Sequence, residues 1–177
     1  MKKALFLLLV LAIAYHGILK AQGFTFGLKN QTSFYSTEKF NAQKNKIFPL
    51  SSIYFVTNYA LSSNQSLLLV AGYNNAGAFQ LTGIEAELNY SNGIGKNFYL
   101  NGGINFHLNL PSNPVFVSRT ILFTDLGLGY KLNKNFSFDL LYYFPLNKTY
   151  VKDPKCDSGC DYTVNYSLRF GITGYIN

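Results

Sequence analysis

Charged residues are sparse in the strand-like stretches of this chain, and those present could form a buried network. The candidate network residues are Lys29, Glu85, Glu87, Asp125, Asp139 and Arg169. With Arg119 and Lys131 counted as well, four basic residues stand against four acidic ones, so the signs balance. An isolated buried charge is very costly, so charges of this kind are expected to pair with one another. Glu85 and Glu87 could instead act as a catalytic carboxylate pair, but no nucleophile or substrate pocket accompanies them, which favours a structural role.

Two cysteines flank a three-residue segment late in the chain. Cys156 and Cys160 are predicted to form a local disulfide if the segment lies in an oxidising compartment. Two free thiols or a metal site are the alternatives. Asp153, Asp157 and Asp161 could add oxygen ligands for Ca²⁺, but their spacing fits no standard calcium loop.

The remaining candidate motifs predict no enzyme. His107 lies between Asn105 and Asn109 and could titrate near neutral pH, but an interior hydrogen-bonding role is favoured. The segment 93–96, GIGK, fits a turn between strands and not the strand-to-helix turn of a phosphate-binding loop. We therefore expect no catalytic residues, no metal and no cofactor.

The strands that must position these charges are clearest in residues 120–146, TILFTDLGLGYKLNKNFSFDLLYYFPL. Every second residue on either side of the turn 133–135 is predominantly apolar, and the alternate residues are smaller or charged. A period of two predicts two antiparallel strands joined by a tight hairpin.

Similar alternation elsewhere predicts eight strands in one domain, residues 24–177. The predicted strands are 24–35, 47–61, 66–74, 79–90, 97–110, 120–132, 136–146 and 162–176. Each is at least the roughly 9–11 residues that a tilted strand needs to cross a bilayer. Longer connections are expected on average at one end and short turns at the other, as in an antiparallel up-and-down transmembrane barrel.

The composition of the polar face decides which face points outward. A soluble lipocalin-like barrel would expose many Lys and Glu side chains to water. The polar face of these strands instead consists mostly of Gly, Asn, Ser, Thr and Tyr. Small residues suit the narrow interior of an eight-stranded barrel. We therefore place the charges in the lumen, with Arg169 expected to bridge to Asp125 or Asp139, and with Arg119 and Lys131 expected at the rims.

The N-terminus predicts a secretory signal peptide, residues 1–23. A basic start, a short apolar run and small residues before the mature chain form its three parts, with cleavage after Ala21 or Gly23. Loss of Lys2, Lys3 and Lys20 would lower the formal net charge from +7 to +4. The basic residues are scattered, so no nucleic-acid partner is predicted.

These patterns resemble the small eight-stranded outer-membrane β-barrel proteins of Gram-negative bacteria. The resemblance rests on phrases such as NYALSSNQSLLLVAGYN and LGLGYKLNKNFSFDLLYYFPL and on the ending YSLRFGITGYIN. It implies a bacterial outer-membrane location, with lipid as the surrounding partner. It transfers no functional residues, because this fold hosts many functions.

Four functions from different classes remain, in order of preference. The first is a structural and interaction scaffold with a side-chain-filled lumen, whose external loops contact a protein partner or a ligand. A narrow, porin-like channel for ions or small solutes and a subunit of a larger envelope assembly follow. An enzyme ranks last, and the soluble lipocalin-like ligand-binding barrel is the disfavoured alternative fold.

Overall fold

The computed structural model describes residues 23–39, 43–47, 51–75, 81–110, 117–118, 120–152 and 161–176. Residues 1–22 of the predicted signal peptide, the proposed Cys156–Cys160 disulfide and Arg119 lie outside these residues, and what was predicted of them stays a prediction. The described strands are β1 (Phe24–Lys39), β2 (Gln43–Ile47), β3 (Ser52–Ala60), β4 (Gln65–Asn74), β5 (Gly83–Gly93), β6 (Phe98–Asn109), β7 (Val117–Ser118), β8 (Thr120–Lys131), β9 (Phe136–Pro145), β10 (Thr149–Lys152) and β11 (Asp161–Ile176).

Eight of these strands close into an antiparallel barrel in the order β1-β3-β4-β5-β6-β8-β9-β11. Closure comes from β1, which pairs with β3 through Phe24↔Tyr59 and with β11 through Phe26↔Ile176. Both edges of β1 are therefore bonded, and no long strand edge faces lipid, where unpaired backbone groups would cost several kcal/mol each. The predicted fold class is confirmed.

Three short strands extend the sheet beyond one end of the barrel. β2 pairs with the last five residues of β1, and β10 pairs with both β11 and β7. The sequence predicted that the first strand ends at residue 35 and that the second begins at Ile47. That boundary was wrong, because β1 continues to Lys39 and folds back on itself as β2, while the next barrel strand begins at Ser52.

The two ends of the barrel differ in the length of their connections. The turns 61–64, 94–97 and 132–135 are four residues each and lie at the same end as Phe24 and Ile176. The longer connections and the three short strands lie at the opposite end. In outer-membrane barrels the short turns face the periplasm and the long loops face outward, which orients this barrel.

The exterior of the barrel wall is apolar over the membrane-spanning part. Large apolar side chains on it include Ile53, Phe55, Leu69, Ile84, Leu88, Ile104, Phe106, Leu126, Leu128, Phe138, Leu140, Phe170 and Ile172. Phe55 is 72% exposed and Leu126 is 61% exposed. A soluble protein rarely exposes so large a continuous apolar surface. Lipid hydrocarbon is therefore the medium that this wall contacts.

The described residues contain no helix both long and apolar enough to cross a membrane.

The interior reverses the usual distribution of polarity in a protein. Lys29, Glu85, Glu87, Asp139 and Arg169 are all buried in the lumen. The alternation of side chains along each strand accounts for this, because neighbours of the outward apolar residues must point inward. These charged side chains of the barrel are therefore concentrated in the lumen.

Candidate functional site

A bidentate ion pair crosses the lumen between Arg169 and Glu85. The guanidinium donates from Nη1 to Glu85 Oε2 at 2.6 Å and from Nη2 to Oε1 at 3.0 Å. Arg169 lies on β11 and Glu85 on β5, and three barrel strands separate them on either side. The pair therefore joins opposite walls. Their side chains are 0% and 1% exposed.

Aromatic rings surround the guanidinium of Arg169. Its Cζ lies 3.9 Å from the centroid of the Tyr143 ring, 5.7 Å from that of Tyr35 and 5.8 Å from that of Phe123. A cation over an aromatic face is attracted electrostatically, by about 2 kcal/mol or more when water is excluded. The rings fix the orientation of the guanidinium as well as adding to its stability.

Two further side chains form hydrogen bonds with the Glu85 carboxylate. The Tyr54 hydroxyl donates to Oε2 at 2.9 Å, and His107 Nδ1 lies 2.8 Å from Oε1. An ionised carboxylate only accepts hydrogen bonds, so the His107 ring carries a proton on Nδ1. His107 thus takes the interior hydrogen-bonding role favoured from the sequence.

Glu87 is held by neutral donors. Tyr143 donates its hydroxyl to Oε2 at 2.5 Å, Asn105 donates to the same oxygen at 3.3 Å, and Asn89 Nδ2 donates to Oε1. Asn105 also reaches Glu85 Oε2 at 3.4 Å. Three donors replace the hydration that the carboxylate loses on burial. Asn105 and Tyr143 link this group to the Arg169–Glu85 pair.

A second ion pair lies nearer the periplasmic end. Lys29 Nζ on β1 is 3.0 Å from Asp139 Oδ1 on β9, and β11 runs between those two strands. The gap that lets them meet is Gly171 on β11. A Cβ there would lie 2.5 Å from both Asp139 Oδ1 and Lys29 Cε. The absence of a side chain at Gly171 is therefore what allows this pair to form.

Asp125 is in the lumen but outside the hydrogen-bond network. Neither of its carboxylate oxygens has a hydrogen-bond partner, and the residue is 4% exposed. The expectation that Arg169 bridges to Asp125 or Asp139 was wrong. Both lie on strands near β11, whereas the long arginine side chain spans the narrow lumen to the opposite wall. Lys131, expected at a rim, is exposed at the periplasmic end.

An apolar layer covers the network on its external side. It consists of Tyr35, Leu81, Ile121, Phe123, Leu141, Tyr143 and Val164, each at most 2% exposed. Along β8 and β11, this layer precedes the charged residues in the direction from the outside to the periplasm. Along these strands, packed apolar side chains therefore lie on the external side of the ion pairs.

Sequence reasoning missed the donors Tyr54, Tyr143 and Asn105. Their inward positions were visible in the alternation, but which carboxylate they reach depends on the curvature of the wall. Among the described residues, no group of three or more His, Cys, Asp or Glu side chains could hold a metal ion. Apart from Asp125, the buried charges described above are held by ion pairs and hydrogen bonds, an arrangement suited to holding the walls together.

Comparisons with known proteins identify the fold. No protein-family model matches the chain, and no curated protein matches it. Neisserial surface protein A is similar in structure, with a TM-score of 0.57, 14% identity, and coverage of 86% of this chain and 99% of that one. The outer-membrane protein AlkL in lipid bilayers has a TM-score of 0.50 and 14% identity, with coverage of 89% of this chain and 92% of that one.

The closed barrel, its apolar exterior and its charged interior define the class. This is an eight-stranded transmembrane β-barrel of the outer-membrane type. The protein resides in the bacterial outer membrane, where lipid surrounds its apolar wall.

The first prediction concerns the pair that spans the lumen. Arg169→Met and Glu85→Gln should each lower the free energy of unfolding by about 3–5 kcal/mol, because each leaves a buried charged or polar partner uncompensated. The double variant should lose much less than the sum. Guanidinium unfolding in lipid vesicles measures all three.

Lys96→Met, in an exposed periplasmic turn, is the control and should change stability by no more than about 0.5 kcal/mol. Additive losses in the double variant would contradict direct coupling between Arg169 and Glu85.

The second prediction concerns the glycine gap. Gly171→Ala should destabilise the barrel by about 1–3 kcal/mol, since the new methyl must displace a buried ion pair. Gly174→Ala on the same strand is the matched control, because a Cβ there meets only the Phe136 ring, at 3.4 Å. Equal unfolding midpoints for the two variants in guanidinium would show that Gly171 has no spacing role.

Proposed function

We propose that this outer-membrane barrel is a non-enzymatic structural and interaction scaffold that presents its external loops. The observation that carries the proposal is the Arg169–Glu85 pair, which joins opposite walls at 2.6 Å. We call this ion pair the brace, because it joins opposite walls and so suits a rigid support. A conduit would require water and solute to occupy the space that these side chains fill.

The packing on either side of the brace supports a filled lumen. Ile121 and Leu141 are 0% exposed in the apolar layer above it. Below it, the space between the ion pairs and the periplasmic vestibule is only about 10 Å³. One water needs roughly 10–15 Å³ by the same measure. Such tight packing leaves little room for a hydrated ion in this part of the described lumen, which supports the proposal of a filled lumen.

The external end supports the presentation of loops. β1 and β11 pair as far as Lys39↔Tyr162, and β2, β7 and β10 extend the same sheet. The flanking segments 36–46 and 147–161 contain many of the charges of the chain. These charges are Glu38, Lys39, Lys44, Lys46, Lys148, Lys152, Asp153, Lys155, Asp157 and Asp161. Charged segments of the sequence that adjoin the external strand ends are suited to contact with a protein or ligand outside the membrane.

A planar-bilayer recording tests the filled lumen. The wild-type protein should give no stepwise conductance, because side chains occupy the lumen. The variant Arg169→Ser/Tyr143→Ser removes the arginine of the ion pair and the aromatic ring that contacts its guanidinium, and it should leak ions measurably more. Heat-modifiable gel mobility of both proteins checks that each is folded and inserted. Conductance steps of one reproducible size from the wild-type protein would contradict the scaffold proposal and indicate a channel.

Cross-linking on intact cells tests the loops. Replacing residues 153–160 with a Gly/Ser linker of equal length should reduce cross-linked partners at the cell surface while leaving the heat-modifiable mobility unchanged. The matched control replaces the periplasmic turn 61–64 in the same way and should keep the partners. An unchanged set of cross-links after the external replacement would remove these loops from the proposal.

A further inference from the structure

A polar vestibule lies at the periplasmic end of the lumen. Its volume is about 170 Å³, and the turn residues Asn133 and Lys134 form part of its rim. One water needs roughly 10–15 Å³ by this measure, so the vestibule can hold a small organic molecule. Tyr99 and Tyr175 line its walls and also line the narrow space beneath the Lys29–Asp139 pair. The vestibule therefore ends where the filled part of the lumen begins.

The charge at this vestibule is positive. Lys131 and Lys134 line it, both are exposed, and no carboxylate is among the lining residues. Within the described part of the chain, neither ammonium has a carboxylate oxygen within 4.0 Å. Lys131 Nζ is instead 5.7 Å from the centroid of the Tyr99 ring. Two lysines at one opening, without acidic partners, favour an anionic occupant.

The walls add groups that recognise hydroxyls. Thr25, Ser66 and Ser91 contribute hydroxyl groups to the lining. Asn58 Oδ1 is buried there without a hydrogen-bond partner. A buried acceptor of this kind is destabilising unless a donor reaches it. A ligand hydroxyl is a donor of the right chemistry for this acceptor.

We propose that the periplasmic vestibule binds a phosphate group carried on a small polyol. Lys131 and Lys134 bind the phosphate, for which lysine acts as a point charge. Asn58 and the neighbouring hydroxyls bind the polyol. A free glycerol phosphate in the periplasm and the headgroup of phosphatidylglycerol in the inner leaflet share this chemistry.

The position of the rim is compatible with either source. The turn 132–135 follows Tyr130 and precedes Phe136, whose side chains lie on the outer face of the wall. Aromatic residues at the end of a membrane-spanning strand lie at the level of lipid headgroups. The opening is therefore next to the headgroups and is also in contact with the periplasm.

A titration with glycerol 3-phosphate tests the site. The protein is held in maltoside micelles, which contain no phosphate, and backbone amide shifts are followed by NMR. Saturable shifts are expected at Ser66, Ser91, Tyr99 and Tyr175. Lys131→Gln/Lys134→Gln should weaken binding by about tenfold or more, since charge-assisted hydrogen bonds are lost. Lys96→Gln, on a turn residue that does not line the vestibule, should bind as the wild type does.

Inorganic phosphate provides the test of the polyol contacts. The wild type should bind glycerol 3-phosphate more tightly than inorganic phosphate, and Asn58→Ala should abolish this difference while keeping phosphate binding. Absence of saturable shifts would overturn the proposal. Equal loss of binding in Lys96→Gln and in the double lysine variant would do so as well, because it would indicate general attraction to a basic surface.

The source of the phosphate is decided in nanodiscs. Binding of glycerol 3-phosphate is compared in discs of phosphatidylcholine alone and in discs that also contain phosphatidylglycerol. Weaker binding in the second indicates that the lipid headgroup occupies the vestibule. Equal binding indicates that the soluble ligand does. Either result supports the site when the lysine variants behave as expected.

Discussion

The Arg169–Glu85 pair is the interaction on which the interior of this barrel depends. Both side chains are removed from water, and an ion pair in such surroundings is tolerable only when its geometry is good and its remaining hydrogen-bonding groups are satisfied. Tyr54 and His107 satisfy the carboxylate, and Tyr143 stacks on the guanidinium. The pair also joins two strands that share no backbone hydrogen bonds, so it couples opposite walls directly.

The rest of the lumen is arranged in layers on the two sides of this ion pair. Hydrocarbon packs on its external side, where Leu141 and Ile121 exclude water. Glu87 and the Lys29–Asp139 pair lie on its periplasmic side. Within the described residues, the lumen is therefore packed toward the outside and opens into a vestibule toward the periplasm. This asymmetry separates a surface that presents loops from a vestibule that faces the opposite compartment.

The wall and the interior of the barrel are subject to different constraints. The wall obeys constraints that any barrel in lipid must meet, namely closed hydrogen bonding and an apolar exterior. Neisserial surface protein A has a similar fold although it is only 14% identical, and that likeness concerns the wall alone. The side chains inside are free to differ between barrels of this class. Function on such a fold must be argued from those side chains and from the loops.

The amino-acid sequence by itself determined the eight barrel strands and their inward and outward faces, because the alternation of side chains along a strand is a local property. It also placed Lys29, Glu85 and Arg169 inside. Only the tertiary structure decided that Arg169 reaches Glu85 and that Lys29 reaches Asp139 past Gly171. These contacts depend on closure of the barrel, which brings together strands that are not neighbours in the sheet. The return of β1 into β2 was also a tertiary result, since the polar residues of that segment carry no apolar alternation that a pattern could detect.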